Sequence, residues 1–382
     1  MSSTLALPRL SLSGEGAVEA AAVMLAQQGV RNALVLTDGV VHGLDGFKLL
    51  AAALEKNGFA FQILDAIEAN PSTGCVDAAF EEFRRLMPDA IIALGGGSVI
   101  DTAKAVRILS ANPGPINRYE GVHHQLKNGV ELVAISTTSG TAAEVTSNAV
   151  ITDTIRHIKM VIISHSILPD IAVNDPAVLI SMPAAVTAST GMDALTHAIE
   201  AYVAKGAHPL TDPTALEAIR IITRWLPPAF HNGQDLKARE MMAHGQFLAG
   251  MAFNSAGLGC VHSLAHQPGA THNLAHGVCN AILLPVVEEF NRPGAVPRFA
   301  QIAKAMNVDI SGMSDEEASL QAIAAIRRLS SQVNIPSGFA SFGISEDDIE
   351  QWIEPALRDP CTPGNPRTLS PDDVRQLYKS AI

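Results

Sequence analysis

Two groups of potential metal ligands lie in the second half of this 382-residue chain. Asp193 and His197 stand four residues apart in the helical pattern GMDALTHAIEAY, so that a carboxylate and an imidazole share one helix face. Alone, such a pair is more often a hydrogen bond than a ligand set. The second group places four of the chain's 13 histidines within the segment HSLAHQPGATHNLAH, namely His262, His266, His272 and His276.

The histidine-rich segment favours a metal site, because several imidazoles in a mostly apolar stretch cost solvation energy unless something binds them. We expect His262 and His266 to share a helix face, Pro268-Gly269 to interrupt that helix, and His276 to begin the next one. One carboxylate with three neutral imidazoles would leave a divalent ion with a net charge of about +1, a useful Lewis acid. Mixed oxygen and nitrogen ligands suit Fe2+ or Zn2+. The motif HExxH is absent, so hydrolysis of the zinc-peptidase type lacks its general base.

A glycine-rich turn in the first half predicts a phosphate site. The apolar run Ala90–Leu94 leads into Gly95-Gly96-Gly97-Ser98 and then into a helical pattern. A strand, a glycine turn and a helix start together suit phosphate binding, and Ser98 is expected to cap the helix. The turn differs from GxGxxG and follows the third predicted strand, so a purely structural turn is the alternative. A second polar turn, Thr137-Thr138-Ser139-Gly140-Thr141, strengthens the phosphate interpretation, although it could also be a plain helix cap.

Asp38 follows the first predicted strand. A carboxylate at this position can accept hydrogen bonds from an adenosine ribose and repels a 2′-phosphate, which favours NAD over NADP. The alternative is an ordinary aspartate in a turn.

The chain divides near residue 182 into an α/β half and a helical half. The predicted strands of the first half are Ala33–Thr37, Phe59–Leu64, Ala90–Leu94, Leu132–Ser136 and Ile171–Asn174. The helices predicted between them are Ala17–Gln28, Gly46–Asn57, Thr73–Leu86 and Ile100–Ala111. This alternation indicates a parallel sheet covered on both faces, with an added hairpin near Ala149–Ser164.

After Met182-Pro183 only helical patterns follow, at Ala184–Lys205, Pro213–Trp225, Leu236–Phe253, Val296–Ala305, Glu316–Val333 and Ser370–Ile382. We therefore predict an α/β dinucleotide-binding domain over residues 1–182. An all-helical domain over residues 183–382 is expected to bind the metal and carry the catalytic residues.

The composition excludes several classes of protein. With 47% hydrophobic and 17% charged residues, the chain is globular rather than disordered. A net charge of −12 without a basic run argues against nucleic acid and anionic lipid as partners. No apolar run is long enough to span a membrane, and the first residues lack the pattern of a signal peptide. Four cysteines without a CxxC motif indicate free thiols in a reducing compartment, so we expect a cytoplasmic protein.

Longer motifs resemble the iron-dependent (group III) alcohol dehydrogenases, in particular the branch of lactaldehyde reductases, propanediol dehydrogenases and alcohol dehydrogenases of the ethanolamine-utilisation type. The resemblance covers essentially the whole chain and rests on GGGSVIDTAKA, STTSGTAAEVT, TGMDALTHAIEAY, GMAFNSAGLGCVHSLAHQPGA, HGVCNAILLP and CTPGNPR. It implies a dehydroquinate synthase-like fold with the active site in a cleft between the two domains. It also implies a metal-dependent alcohol dehydrogenase or aldehyde reductase that transfers a hydride between NAD(H) and a small primary alcohol or aldehyde, with Fe2+ or else Zn2+. Apolar helices in the second half favour a homodimer or a higher homo-oligomer.

The same resemblance implies four sets of functional residues. The metal ligands are Asp193, His197, His262 and His276. His266 is the candidate catalytic proton relay, with packing beside the metal as the alternative. The dinucleotide site comprises Asp38, Asn70, Gly96, Gly97, Ser98, Thr137, Thr138, Thr141 and Lys159. The substrate pocket is lined by Asn148, Phe253 and Cys361.

Two departures from the family pattern make the substrate the least transferable property. His272 stands where many relatives carry an aromatic residue, and Ala149 stands where some carry tyrosine. His272 is either a polar residue of the pocket wall or surface, or a competing metal ligand.

Two other functions stay open at this point. One is a different reaction on the same scaffold, like that of glycerol-phosphate dehydrogenase or dehydroquinate synthase, although no Lys/Arg cluster for a phosphorylated substrate lies beside the ligands. The other is a non-catalytic assembly protein with a vestigial site, against which the complete ligand set argues.

Overall fold

The computed structural model describes residues 4–123, 125–156 and 158–382, which form two compact units. The α/β unit comprises Ala6–Met182 and Gln234–Ala243. The helical unit comprises Pro183–Gly233 and His244–Ile382, together with Thr4 and Leu5. Two short segments are therefore grouped differently from what a single boundary at residue 182 predicts.

A six-stranded parallel sheet forms the centre of the α/β unit, in the order β1-β9-β6-β4-β2-β3. The described strands are β1 Leu10–Ser13, β2 Asn32–Leu36, β3 Ala60–Leu64, β4 Ala90–Gly95, β5 Gly121–Val122, β6 Glu131–Ser136, β7 Asn148–Asp153, β8 Ile158–Ile163 and β9 Ile171–Asn174. β4 and β6 are central neighbours, with Gly95 opposite Ser136 at their carboxyl ends. The polar turns that follow these two strands therefore begin side by side.

Helices cover both faces of this sheet, which confirms the predicted arrangement. They are α1 Ala17–Gln27, α2 Gly39–His42, α3 Asp45–Lys56, α4 Thr73–Leu86 and α5 Gly97–Ala111. Val35 and Ile92 pack on one face in a core with α1 and α3, while Leu34 and Ile91 pack on the other with α5. This follows from the alternation of side chains along a strand. Because both faces are buried, the strands read as continuous apolar runs.

A second, three-stranded sheet has the order β5-β8-β7. β7 and β8 are antiparallel, with Asn148 opposite Ile163 and Asp153 opposite Ile158, which confirms the predicted hairpin. Position 157 lies outside the described residues.

The second half of the chain is helical, and within the described residues no strand follows β9. Its helices are α6 Ala184–Val203, α7 Asp212–His231, α8 Leu236–Ala256, α9 Cys260–Thr271, α10 His276–Asn291, α11 Val296–Ala305, α12 Asp315–Gln332, α13 Ile349–Arg358 and α14 Pro371–Lys379. From Thr187 onwards α6 is buried on nearly all sides, as expected of a helix at the centre of a bundle. None of the described helices combines the length and apolarity that a membrane crossing requires.

The expected helix break at Pro268-Gly269 is wrong, because α9 continues to Thr271. Proline lacks an N–H, so Pro268 leaves the carbonyl of Leu264 without its helical donor. The Tyr378 hydroxyl, from α14, donates to that carbonyl at 2.8 Å. A contact from a distant part of the chain thus replaces the hydrogen bond that the proline removes.

Candidate functional site

Three of the four predicted metal ligands lie together in the helical unit. Asp193, His262 and His276 each offer one ligand atom, and these atoms all lie within 4.8 Å of one another. Oδ1 of Asp193 is 3.7 Å from Nε2 of His276 and 4.0 Å from Nε2 of His262. Asp193 and His262 are buried, whereas His276 is partly exposed. Two sequence-distant segments therefore converge on one small polar site.

His197 lies beside this group of ligand atoms and is not counted within it. Its Nδ1 is 4.0 Å from Oδ2 of Asp193, and its ring centroid is 4.5 Å from that of His262. The ring of His197 also stacks on Phe253, with the centroids 4.3 Å apart, so this predicted pocket residue adjoins the site. Nδ1 of His197 is buried and has no hydrogen-bond partner in the described part of the chain. An unsatisfied ring nitrogen beside a buried carboxylate is a ready ligand for a cation.

A glycine lets α10 approach α6 closely enough to bring His276 to Asp193. A Cβ atom on Gly277 would lie 2.5 Å from the carbonyl oxygen of Ser189 and 3.3 Å from Cβ of Asp193. Any side chain at this position would push the start of α10 away from α6. The absence of a side chain at Gly277 therefore allows His276 to lie close to Asp193.

Glu200 is a further member of the site and lies on the same face of α6 as Asp193. Its Oε2 forms a short hydrogen bond with Nδ1 of His262. With Nδ1 as the donor, Nε2 of His262 keeps its lone pair for a metal. Oε1 of Glu200 accepts from the backbone N–H of Val261 at 2.7 Å. One carboxylate from α6 thus satisfies the first turn of α9 and fixes the ligand ring that follows.

Burial sets the electrostatics of this site. It raises the pKa of Asp193 and raises the pKa of Glu200 to about 7. It also lowers the pKa of His262 well below its usual value. Buried carboxylates without a compensating cation are costly, and a neutral imidazole is the form that binds metal. The residues present therefore fit a divalent metal ion.

His266 lies one turn after His262 on α9 and is paired with an aspartate. Its ring stacks on that of His276 at 5.4 Å, and its Nδ1 is 2.7 Å from Oδ2 of Asp359. Oδ1 of Asp359 accepts from the backbone N–H of Cys361 at 2.9 Å. Burial by itself raises the pKa of Asp359, but the charge and hydrogen bond of His266 hold it below its usual value. Asp359 therefore orients the ring and leaves Nε2 as its proton-exchanging atom.

His272 lies at the end of α9. Its Nδ1 is 2.9 Å from Oγ1 of Thr271, and its Nε2 is 3.6 Å from Oδ1 of Asp348. Its ring also makes an edge contact with Trp352. The structure therefore places His272 in local polar and aromatic contacts, and the ligand group of the described residues does not include it.

The two predicted phosphate turns of the α/β unit lie against each other. A Cβ atom on Gly96 would be 3.2 Å from Cγ2 of Thr138, and one on Gly97 would be 2.9 Å from Cγ2 of Thr141. Thr137 donates its backbone N–H to the carbonyl of Gly95 at 3.0 Å. The hydroxyl oxygens of Thr138 and Ser139 are buried without a hydrogen-bond partner among the described residues. Unsatisfied hydroxyls beside a glycine turn fit a polar ligand.

The predicted role of Ser98 as helix cap is wrong. α5 begins at Gly97, with Gly96 as its N-cap, because the glycine turn already has the extended backbone that an N-cap requires. The Ser98 hydroxyl instead accepts from the backbone N–H of Asn70 at 3.2 Å. Asn70 has a left-handed backbone (φ 53), which asparagine tolerates, and its Oδ1 accepts from Nζ of Lys159 at 2.9 Å. Hydrogen bonds thus connect Ser98, Asn70 and Lys159, three residues of the predicted dinucleotide site.

Asp38 is the N-cap of α2. Its Oδ1 accepts from the backbone N–H groups of Val40 and Val41, both at 2.9 Å. The capping role therefore exists in the structure, as the alternative interpretation expected. Both bonds end on one oxygen, so Oδ2 is not part of the cap.

A buried lysine supports the predicted pocket residue Asn148. Nζ of Lys104 donates to Oγ1 of Thr146 at 3.0 Å and to the carbonyl of Asn148 at 2.8 Å. Oδ2 of Asp101 accepts from the backbone N–H of Val150 at 3.0 Å. Oδ1 of Asn148 is buried and has no hydrogen-bond partner in the described part of the chain. The charged residues of α5 thus hold the start of β7.

Sequence reasoning missed several residues of these sites. Helical spacing could have indicated two of them, since Glu200 lies seven residues after Asp193 and Asn280 lies four residues after His276. The sequence offered no such signal for Asp359, which meets His266 across 93 residues.

Known proteins resemble the chain over its full length. Residues 8–176 match the family described as "Iron-containing alcohol dehydrogenase", and residues 187–382 match "Fe-containing alcohol dehydrogenase family, C-terminal". The NAD-dependent methanol dehydrogenase of Bacillus methanolicus is 43% identical over 376 residues, covering 98% of this chain and 99% of that protein. The lactaldehyde reductase of Escherichia coli (strain K12) is 39% identical, covering 100% of both. The crystal structure of a 1,3-propanediol oxidoreductase superposes with a TM-score of 0.98 at 38% identity, covering 100% of both chains.

These likenesses confirm the predicted fold, a parallel-sheet α/β part followed by a helical part. They also confirm the predicted enzyme class, an alcohol dehydrogenase, with NAD(H) and iron as the cofactors of its relatives. The chain belongs to the iron-containing alcohol dehydrogenase family.

Proposed function

We propose that this enzyme oxidises small primary alcohols and reduces the corresponding aldehydes with NAD(H), using a divalent metal held by Asp193, His197, His262 and His276. The observation that carries the proposal is the group of three ligand atoms within 4.8 Å beside the unpartnered ring nitrogen of His197. Relatives described as a methanol dehydrogenase and a lactaldehyde reductase support small alcohols and aldehydes as the substrate class.

The overall reaction moves a hydride from the carbinol carbon to the nicotinamide and releases one proton. When bound, the metal supplies Lewis acidity, which lowers the pKa of a substrate hydroxyl and polarises an aldehyde carbonyl. His266 accepts the hydroxyl proton at Nε2 in oxidation and returns it in reduction. Asp359 keeps Nδ1 of His266 protonated and stabilises the ring when it is charged. Glu200 holds His262 in the tautomer that offers Nε2.

The α/β unit holds the dinucleotide in this proposal. Gly96 and Gly97 would let the backbone approach the pyrophosphate, and the free N–H groups at the start of α5 would be available to bind it. The unpartnered hydroxyls of Thr138 and Ser139 offer hydrogen bonds to phosphate or ribose. Asn148, Phe253 and Cys361 are proposed to line the substrate pocket.

We place the enzyme in the cytoplasm as a homodimer or a higher homo-oligomer. Support for the compartment comes from the four cysteines, all of which are free thiols.

An assay of NADH formation with ethanol, 1,2-propanediol and 1,3-propanediol, combined with metal analysis of the protein, tests the function. We expect oxidation of at least one alcohol, its loss after chelation, and its recovery with Fe2+ or Zn2+. A protein that retains no metal and oxidises none of these alcohols contradicts the proposal.

His266→Ala is expected to lower turnover by about 100-fold or more, because general acid–base catalysis contributes roughly that much. Metal content should stay intact, and the dependence of turnover on pH should change. Kinetics across a pH series, with metal analysis of the same samples, checks this. An unchanged pH profile removes His266 from the proton relay.

Asp38→Gly is expected to raise kcat/KM with NADP relative to NAD by about tenfold or more, because the repulsion between a carboxylate and a 2′-phosphate disappears. Glycine is itself tolerated as an N-cap, so α2 should persist. Kinetics with both dinucleotides measure the ratio. A wild-type enzyme that already prefers NADP would show that Asp38 has no role in the selection.

A further inference from the structure

The side chain of Asn280 lies among the proposed ligand atoms. Asn280 is fully buried on α10, one turn after His276. Its Nδ2 is 2.7 Å from Oδ1 of Asp193, 3.0 Å from Nε2 of His276 and 3.2 Å from Nε2 of His262. One amide nitrogen is therefore within hydrogen-bond distance of every atom in the ligand group.

We propose that Asn280 is a positioning residue of the metal site, whose amide bridges the three ligand atoms and whose carbonyl oxygen turns toward the cation that the site binds. This inference rests on the metal site of the proposed function.

The Asn280 amide can perform part of the role of a cation. Its two N–H groups carry partial positive charge, and their nitrogen lies within hydrogen-bond distance of one carboxylate oxygen and two imidazole nitrogens. Two donors face three acceptors, so at least one acceptor shares a donor or lacks one. Asn280 thus counters the mutual repulsion of three electron-rich atoms without fully satisfying them, which leaves a cation as the better partner.

The amide cannot keep this orientation once a metal is bound. Metal bonds to nitrogen and oxygen ligands are about 2.0–2.2 Å long. Nδ2 of Asn280 is only 2.7 to 3.2 Å from each of the three atoms that would hold the ion. Its N–H groups would therefore lie beside a bound cation and repel it.

The environment of the carbonyl oxygen of Asn280 supports the same proposal. Oδ1 of Asn280 is buried and has no hydrogen-bond partner in the described part of the chain. Buried acceptors without a partner are rare in native proteins. A half-turn about the last side-chain torsion exchanges Nδ2 and Oδ1, and this terminal torsion is soft. The unsatisfied oxygen then faces the cation, so one rotation removes the repulsion and supplies the missing partner.

The test compares wild type, Asn280→Asp and Asn280→Leu as full-length proteins, each stripped by chelator and then loaded with Zn2+. Melting temperatures are measured in both states, and the Kd for Zn2+ is measured by competition with a chelating dye. Asn280→Asp adds a second carboxyl group beside Asp193, which favours a bound cation, so the difference between loaded and stripped melting temperatures should widen by several degrees. Asn280→Leu offers no oxygen, and its affinity for Zn2+ should fall about tenfold or more.

Asn291→Asp is the matched control, because Asn291 is equally buried on the same helix and bonds to Glu288 and Asn365 instead. It should lower both melting temperatures alike. The inference is overturned if wild type binds Zn2+ while Asn280→Asp shows the wild-type difference or Asn280→Leu keeps the wild-type Kd. Should Asn280→Asp fail to fold without metal, the Kd of Asn280→Leu decides alone. A wild type that binds no Zn2+ overturns the proposed metal site itself.

Discussion

Replacing Asp193 by alanine is expected to remove both the bound metal and the activity of the purified enzyme. Asp193 supplies the anionic oxygen of the ligand group and accepts a hydrogen bond from the Asn280 amide. Without Asp193, only neutral imidazoles remain to hold a divalent ion. His262→Ala should have a similar effect, because it also leaves the buried carboxylate of Glu200 without its hydrogen bond to the His262 ring. Lewis-acid stabilisation supplies several kcal/mol, so kcat/KM should fall by about a thousandfold or more.

Metal analysis and the NADH assay on the same protein samples measure both losses. Asp315→Ala is a suitable control, because Asp315 is an exposed aspartate in the first turn of α12. It should keep wild-type metal content and wild-type kcat/KM. An Asp193→Ala enzyme that stays fully active without metal would contradict the proposed site.

Structural elements that depend only on nearby residues in the sequence could be predicted from it. The strand Ala90–Gly95 reads as an uninterrupted apolar run because both of its faces are buried. The four-residue spacing of Asp193 and His197 is a property of any helix, so it could be recognised without knowing what packs around them. By contrast, β1 has only four residues, LSLS, with alternating exposure at the edge of the sheet, and was not predicted.

Structural elements that depend on contacts between residues far apart in the sequence could not be predicted in this way. α9 passes through Pro268 because a hydroxyl 114 residues away from Leu264 donates to the freed carbonyl. α7 also continues through Pro227 and Pro228 to His231, beyond its predicted end at Trp225, and no contact in the described residues explains this. The partners of His262 and His266 are carboxylates that only the tertiary fold brings to them. Local propensity contains no information about such contacts.

Lys104→Met is expected to destabilise the protein by about 3–5 kcal/mol, the usual cost of removing one member of a buried ion pair. Lys104 has no exposed surface, and its Nζ lies 3.9 Å from Oδ1 of Asp101. Without the ammonium group, Asp101 and the buried Glu144 lose their nearby positive charge, and the carbonyl of Asn148 loses its donor. Denaturant unfolding at neutral pH measures the change.

The pH dependence of stability reports the cost of burying the charge of Lys104. Burial lowers the pKa of Lys104 from 10.5 to about 8, so between these values the unfolded chain binds more protons than the folded one. Stability linked to Lys104 therefore rises with pH through that window, and Lys104→Met should lack this rise. Burial also raises the pKa of Asp101 to about 6, so Asp101→Asn added to Lys104→Met removes the stranded carboxylate and should recover part of the loss. If the double variant is no more stable than Lys104→Met, the ion pair does not determine the stability of this unit. If the rise persists in Lys104→Met, Lys104 is not the group that causes it.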